Sequence, residues 1–514
     1  MRRVGLALLA AGVLLAPGAL RPVTAAWQEA EYAAAPVTVA PSDCSATGLY
    51  TASAASALLA GSVQGVPLGT GSTAGVVLGP RIDSAALAKP LRTADTGAVP
   101  TASGTALPLT LTSGGSWAQS ASTTGTGASS ATAGGATPLG VIDVSGLLAR
   151  SPSATSLLPG LDDVRVEVGA PIASASLDGC AAGWGAADAL SRSTAVGALT
   201  LRLRDAAVTT ALDGIGTRAT GAASALATAA TAATGAVAQS AGDALATALS
   251  GVLSVGTAGP SSGSASIAPA TGGIAASIGA VRSSGVAALD TGSGALAFDL
   301  RPAAAGVDAA VLTTTTAAAG ASAAGQALQD QATATAAAVT SAREGALVTV
   351  GASATVSVTG VPAATVAYTA SGSAAAWAAG TVMPTVTVTA LSLATLQSGL
   401  VGAVTTALGT LPGVASSVAS AYLGPAAAAA PDSALNALAS DAAAALRTDL
   451  AAVPGVVRLT AAQRATDAAS SWTGAYSAGV ATQSALRLTV RDASGVRCDL
   501  FVGNVAVGPD RPRG

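Results

Sequence analysis

Strict alternation of apolar and polar residues marks several strands along this chain. From Val348 to Thr359, Val348, Val350, Ala352, Ala354, Val356 and Val358 fall on one side, and Thr349, Gly351, Ser353, Thr355, Ser357 and Thr359 on the other. A period of two with one apolar side predicts a half-buried strand of an antiparallel sheet, here with a hydroxyl-rich solvent face. The same period picks out Val164-Val166-Val168, Leu199-Leu201-Leu203, Leu296-Phe298-Leu300 and Thr385 to Thr389. Near the end, Leu486, Leu488 and Val490 alternate with Arg487, Thr489 and Arg491, and Asp492-Ala493-Ser494-Gly495 supplies turn chemistry. The return strand places Cys498, Leu500 and Val502 on one face, so a hairpin with a buried cysteine is expected.

Helical spacing appears between these strands. Leu391, Leu393, Leu396, Leu400, Val401, Val404, Leu408 and Leu411 mostly follow three-and-four spacing and stop at Pro412-Gly413. Pro431-Asp432-Ser433 opens a second helix, with Leu435, Leu438, Leu446 and Leu450 on its apolar side before Pro454. Leu312 to Val339 is an Ala-rich helical stretch that opens on four threonines, Thr313 to Thr316. Val208 to Leu253 is also Ala-rich, but Gly214, Gly216, Gly221, Gly235 and Gly242 interrupt it. At about 1 kcal/mol per interior glycine, broken helices packed through small residues are expected there. Pro100 to Leu139 and Gly256 to Ile274 mix Gly, Ser, Thr and Ala with almost no large apolar residue, which predicts flexible, unstructured segments.

The combined pattern predicts an α+β, β-rich fold of antiparallel sheets flanked by Ala-rich helices, elongated or multi-lobed. Residues 1–26 read as a secretory signal peptide: Arg2 and Arg3 precede the apolar stretch Val4 to Leu15, and Thr24-Ala25-Ala26 supplies small residues before Trp27. Residues 27–205 form an N-terminal β-rich region with a flexible insertion near 100–139. An Ala-rich helical region with a Gly/Ser linker covers 206–288, a C-terminal α+β region covers 289–510, and 511–514 is a tail. No later stretch reaches transmembrane length without polar interruption, so the mature chain is expected to lack a span.

Composition removes most chemistry. With no histidine among 514 residues, there is no imidazole base, no His-oriented nucleophile and no His-ligated metal. Net charge is only −3 and the arginines are scattered, which argues against a nucleic-acid partner. Four glutamates remain for carboxylate-pair chemistry: Glu29 and Glu31 at the mature start, Glu167 on the outer side of a strand, and Glu344 in a polar connection. Asp162-Asp163 lacks any calcium-loop pattern and reads as a cap or turn. Gly259-Pro260-Ser261-Ser262-Gly263 matches the G-x-S-x-G string but has no histidine to activate Ser261. Five isolated tryptophans (Trp27, Trp117, Trp184, Trp377 and Trp472) read as core or sheet-face plugs. No catalytic residue, cofactor or metal site is expected.

The three cysteines are the disulfide candidates in an oxidising compartment: Cys44, Cys180 and Cys498. Cys44 to Cys180 closes the shorter loop; Cys180 to Cys498 and Cys44 to Cys498 stay open. One thiol is left over.

Three landmarks carry a resemblance: the acidic, aromatic start Trp27-Gln28-Glu29-Ala30-Glu31-Tyr32, the turn-and-strand unit Leu289 to Leu300, and the closing run Ala485 to Pro509. Their order resembles the choice-of-anchor G family of actinobacterial surface proteins. The resemblance implies secretion and surface display, with no catalytic residues to carry over. Members of such families typically carry a sorting or anchoring segment. Asp510-Arg511-Pro512-Arg513-Gly514 contains no such motif, so release, or retention by another surface component, is expected. The resulting expectation is a secreted or cell-surface-associated, non-enzymatic protein with a structural or adhesive role toward cell-envelope or extracellular-matrix components. The alternative is a carbohydrate-active enzyme or sugar-binding module using carboxylates and Trp.

Overall fold

The computed structural model describes residues 50–51, 53–63, 66–67, 73–77, 109–111, 117–123, 128–135, 138–149, 158, 160–178, 190–253, 256–358, 363–389, 394–427, 432–465, 480–493, 495–508 and 511–512. Residues 1–26, Cys44 and Cys180 lie outside them.

The described chain opens with β1 (Tyr50–Thr51), β2 (Ser53–Val63), β3 (Val66–Pro67) and β4 (Thr73–Val77). Next come β5 (Leu109–Leu111), β6 (Trp117–Thr123), β7 (Ala128–Gly135), β8 (Pro138–Asp143) and the short helix α1 (Val144–Ala149). Two long strands, β9 (Leu161–Asp178) and β10 (Leu190–Asp205), lead into α2 (Ala206–Val252), a helix of 47 residues. Then follow β11 (Gly256–Ala258), β12 (Ser262–Ala268), α3 (Gly272–Ile278), β13 (Val281–Ser284), β14 (Ala287–Asp290), β15 (Ala295–Asp299) and β16 (Ala309–Ala310). Helix α4 (Thr314–Glu344) precedes β17 (Leu347–Val358), β18 (Ala364–Ser373), α5 (Ala374–Ala378) and β19 (Thr385–Thr389). The last part holds α6 (Ala394–Leu408), α7 (Pro412–Ser417), α8 (Gly424–Ala427), α9 (Asp432–Val456), β20 (Val457–Ala465), β21 (Ala481–Asp492), β22 (Gly495–Val507) and β23 (Arg511–Pro512).

Two antiparallel sheets face each other as a sandwich. One runs β13-β14-β15-β10-β9-β7-β6, with β8 also paired to β9 and β5 to β8; the other runs β16-β20-β21-β22-β2-β3, with β4 on β2. The second sheet pairs β2, near the start of the described chain, with β22, near its end. The C-terminal hairpin has the expected register: Leu486 opposes Val502, Leu488 opposes Leu500, and Val490 opposes Cys498. Two cores fill the sandwich and the ground beneath its helices. One is built of Leu and Val with α4 and α9 laid over it. The other is almost entirely alanine: Ala121, Ala131, Ala133, Ala173 and Ala175 face Ala54, Ala481 and Ala485. A buried hydrogen bond from Leu58 N to Gln119 Oε1 (3.0 Å) ties β2 to β6 across the two sheets.

A further sheet, β11-β17-β18-β19 with β12 also on β17, forms a second lobe with its own core. Helix α2 belongs to both lobes. Val208, Ala211, Leu212 and Ile215 enter the sandwich core, and Ala219, Leu226, Ala233, Val237, Ala241, Leu245 and Leu249 enter the second. Helix α4 repeats the arrangement, with Ala321 to Ala332 in the first and Val339 and Ala342 in the second.

Several expectations are corrected. Residues 206–252 form one unbroken helix rather than broken pieces. Its buried positions recur every three or four residues, and burial of that stripe outweighs the cost of the glycines. At two of them a close approach needs the missing side chain: a Cβ on Gly214 would lie 3.1 Å from Leu438 of α9, and one on Gly242 3.3 Å from Gly263 N. The segments expected to be unstructured contain β5, β6, β7 and the start of β8 within 100–139, and β11, β12 and the start of α3 within 256–274. Period-two burial runs through β7, with Ala131 and Ala133 inward. Helix α9 continues through Pro454 to Val456 instead of stopping before it.

Strand β12 lies directly on α2. A Cβ on Gly263 would sit 1.8 Å from Ala238 O, a backbone atom that cannot yield. Gly263→Ala is therefore expected to destabilise the fold by roughly 2 kcal/mol. Gly235→Ala, on an open stretch of the same helix, should stabilise it by roughly 0.5–1 kcal/mol. Chemical denaturation of both variants checks this. Wild-type stability for Gly263→Ala would contradict the strand-on-helix contact.

Candidate functional surface

The five strands of the second lobe contain no Asp, Glu, Lys or Arg. Their outer face is an array of hydroxyls. On β17 it shows Thr349, Ser353, Thr355 and Ser357; on β18, Thr365, Thr369 and Ser371; on β19, Thr385, Thr387 and Thr389. Strand β12 adds Ser262, Ser264 and Ser266, and β11 adds Thr257. Register aligns these in rows across the sheet: Ser266 with Thr349 and Ser371, Thr355 with Thr365 and Thr389, and Thr369 with Thr385. Pleated geometry spaces the rows about 6.7 Å apart along a strand and neighbouring strands about 4.8 Å apart. Ser262 and Ser353 share a hydrogen bond of 3.1 Å, as do Thr349 and Ser371.

The inner face explains why the array holds its place. Val348, Val350, Val356, Val366 and Val388 are buried, so the period of two forces the intervening hydroxyls outward. Tyr368 is buried beneath them and donates its hydroxyl to Ala241 O of α2 (3.0 Å). Burial pushes that phenol up to about 12, so it stays neutral and keeps its donor. Trp377, fully buried, donates Nε1 to Val348 O (3.1 Å) and plugs the core. The edge strand β19 is tied to α6 by Gln397 Nε2 donating to Val388 O (2.7 Å).

The residues singled out in the sequence fall apart spatially. Glu167 pairs with Arg202 at 2.6 Å and Glu344 with Arg343 at 2.9 Å. Asp163 pairs with Arg165 at 2.6 Å in a left-handed backbone position (φ 56°). Glu29 and Glu31 lie outside the described residues. So do Trp27, Trp184 and Trp472, while Trp117 opens β6. Ser261 follows β11 and precedes β12, so its string joins two strands rather than a strand and a helix. Its hydroxyl donates to Gly242 O of α2 (2.8 Å), a structural bond. Among the described residues, no group of three or more His, Cys, Asp or Glu could hold a metal ion. Cys498 is a free, buried thiol, pushed up to about 12 by burial and then by Asp499 beside it. That environment keeps the thiol protonated and unreactive.

One carboxyl pair was not expected. Asp205, wholly buried, ends β10 and caps α2, its Oδ1 accepting from Val208 N at 2.9 Å. Its carboxyl lies close to that of Asp449 on α9. Asp205 Oδ2 is buried without a hydrogen-bond partner among the described residues. Gly160 packs against the pair in a left-handed conformation (φ +86°), where a Cβ would lie 2.3 Å from Asp449 Oδ2. Burial chiefly, and the Asp449 charge in addition, push Asp205 up to about 6, against the opposing pull of the Val208 amide. Nothing in the local sequence signals this. The position of Asp205 just before an Ala-rich run suggests a cap, but its partner sits on a distant helix.

No protein-family model matches this chain, and no curated protein or solved structure is significantly similar to it.

Because the carboxyl of Asp205 titrates near 6 when folded against about 3.8 when unfolded, the folded state binds the proton more tightly. The resulting stability is complete below pH 3.8 and is lost as pH rises through 6. Asp205→Asn keeps a capping side chain but removes the titration. Denaturant unfolding of both proteins at a series of pH values should show wild type losing stability relative to Asp205→Asn as pH rises from about 4 to about 7. A constant difference across that range would rule out the upward shift of Asp205.

Proposed function

We propose that this protein is a secreted or cell-surface-associated, non-enzymatic component with a structural or adhesive role, and that the hydroxyl array of the second lobe holds an uncharged polymer of the cell envelope or extracellular matrix. The array carries the reading. Each hydroxyl both donates and accepts, and the rows repeat in two dimensions. A face without charge recognises polyhydroxylated or amide-bearing chains by hydrogen bonding rather than ion pairing. Short-chain hydroxyls on a sheet lose little rotamer freedom when they bind, which favours a firm repetitive contact. The signal-like start and the resemblance to choice-of-anchor G proteins agree with export and display.

The carbohydrate-active alternative needs two carboxyls separated widely enough to admit a sugar and, for inversion, a water. Asp205 and Asp449 instead lie close together at a buried helix cap. Trp377 faces the core, not a cleft.

Fractionation of the producing organism's culture tests the proposal. Wild type should be recovered from the envelope or matrix and resist elution by high salt, because screening does not weaken uncharged contacts. Replacing Thr365, Thr369 and Thr387 by Glu should shift most of the protein into the medium while the variant still unfolds cooperatively. Unaltered retention of that folded triple variant would refute the role of the array. Ready elution by salt would refute the uncharged mode of binding.

A further inference from the structure

A cavity of about 130 Å³ lies in the sandwich lobe, where α4 and α9 cover the ends of β10 and β15. Leu201, Phe298, Leu312, Ala317, Leu450 and Val453 line it. Two polar side chains also border it, and both are engaged elsewhere. The Thr316 hydroxyl donates to Val311 O (2.9 Å) or Thr313 O (3.0 Å) and accepts from Thr313 N (2.7 Å). Asp299 accepts from Arg301 N and Arg301 Nη2, each at 3.0 Å. Val286 and Pro302, both exposed, form the rim.

The packing explains why the space persists. Helix α4 rests on the Phe298 ring at Gly320, where a Cβ would already lie 3.0 Å from the ring. The ring therefore braces the helix, and the small Ala317 beside that contact leaves the gap unfilled. Water gains little in its interior, because an ordered water needs two to four polar partners and the wall is apolar apart from Thr316 and Asp299. Apolar cavities of roughly 150 Å³ stay dry and take up small hydrocarbons.

We propose that this cavity binds the end of a soluble aliphatic chain, with the chain's polar head in water beyond Val286 and Pro302. The aliphatic wall selects the chain, and the open rim allows a linear molecule to project outward. This activity is independent of the hydroxyl face, which lies on the other lobe.

Titration of the full-length protein with hexanoate, followed by methyl NMR of Leu201, Leu312, Leu450 and Val453, tests it. Wild type should show saturable shifts of these methyls, and butanoate should bind more weakly than hexanoate. Ala317→Leu fills the cavity from α4 and should weaken binding at least tenfold. Val286→Phe, at an exposed position that does not threaten folding, should block the mouth and weaken binding to a similar extent. Absence of methyl shifts in wild type would overturn the proposal. So would wild-type affinity in the folded Val286→Phe protein, whatever becomes of Ala317→Leu.

Discussion

The contact of alanine and glycine with backbone along one uninterrupted helix governs this structure. Helix α2, about 70 Å long at 1.5 Å per residue, contributes to the cores of both lobes. An alanine buries too little area to hold a helix by transfer from water alone. The stripe compensates by letting neighbours come close enough for dense dispersion contact, which only small side chains permit. Glycines at its close crossings follow from that: Gly214 under Leu438 of α9 and Gly263 of β12 over Ala238. Larger residues at these points would separate the layers and remove the contact that stabilises them.

That packing also sets the electrostatics. Few charges are present, and several of the described ones form exposed or half-exposed pairs, such as Arg202 with Glu167 and Arg301 with Asp299, which contribute little. Asp205 departs from the rule because its place as the cap of α2 is also a buried junction of β10, α2 and α9. The amide of Val208 favours a charged carboxylate there, but desolvation and Asp449 outweigh it. A helix start that would ordinarily carry a negative charge thus holds its proton more tightly than a free carboxyl does. The second lobe goes further and dispenses with charge on its sheet altogether, leaving hydroxyls on its outer face.

The sequence was legible where large and small residues alternate. Val348 to Val358, Val164 to Val168, Leu199 to Leu203 and the Leu486–Val502 hairpin all lie in strands as the pattern requires. It was opaque where alanine serves as the hydrophobic residue. In β7 the inward Ala131 and Ala133 differ from the outward Ser130 and Thr132 by too little for the pattern to stand out. Yet Ala131 and Ala133 are almost fully buried against the opposite sheet. The same reason hid β12, whose alternation of Ser with Gly and Ala reads as a linker until α2 is placed beneath it. Glycine counting misled in the other direction, because the intrinsic cost of each glycine is local while the burial that offsets it is tertiary.

Periodicity and composition by themselves determined the α+β class, the antiparallel pairing, the hydroxyl side of the β17 strand and the inward direction of Cys498. Each follows from a local rule: side chains alternate along a strand, and the apolar set turns inward. The joining of β2 to β22, the continuity of α2, the alignment of hydroxyls from five strands into rows, and the meeting of Asp205 with Asp449 were decided only by the tertiary structure. Each depends on which distant backbone lies alongside. In a chain this rich in alanine, glycine, serine and threonine, many pairings look alike locally, and close packing in three dimensions selects among them.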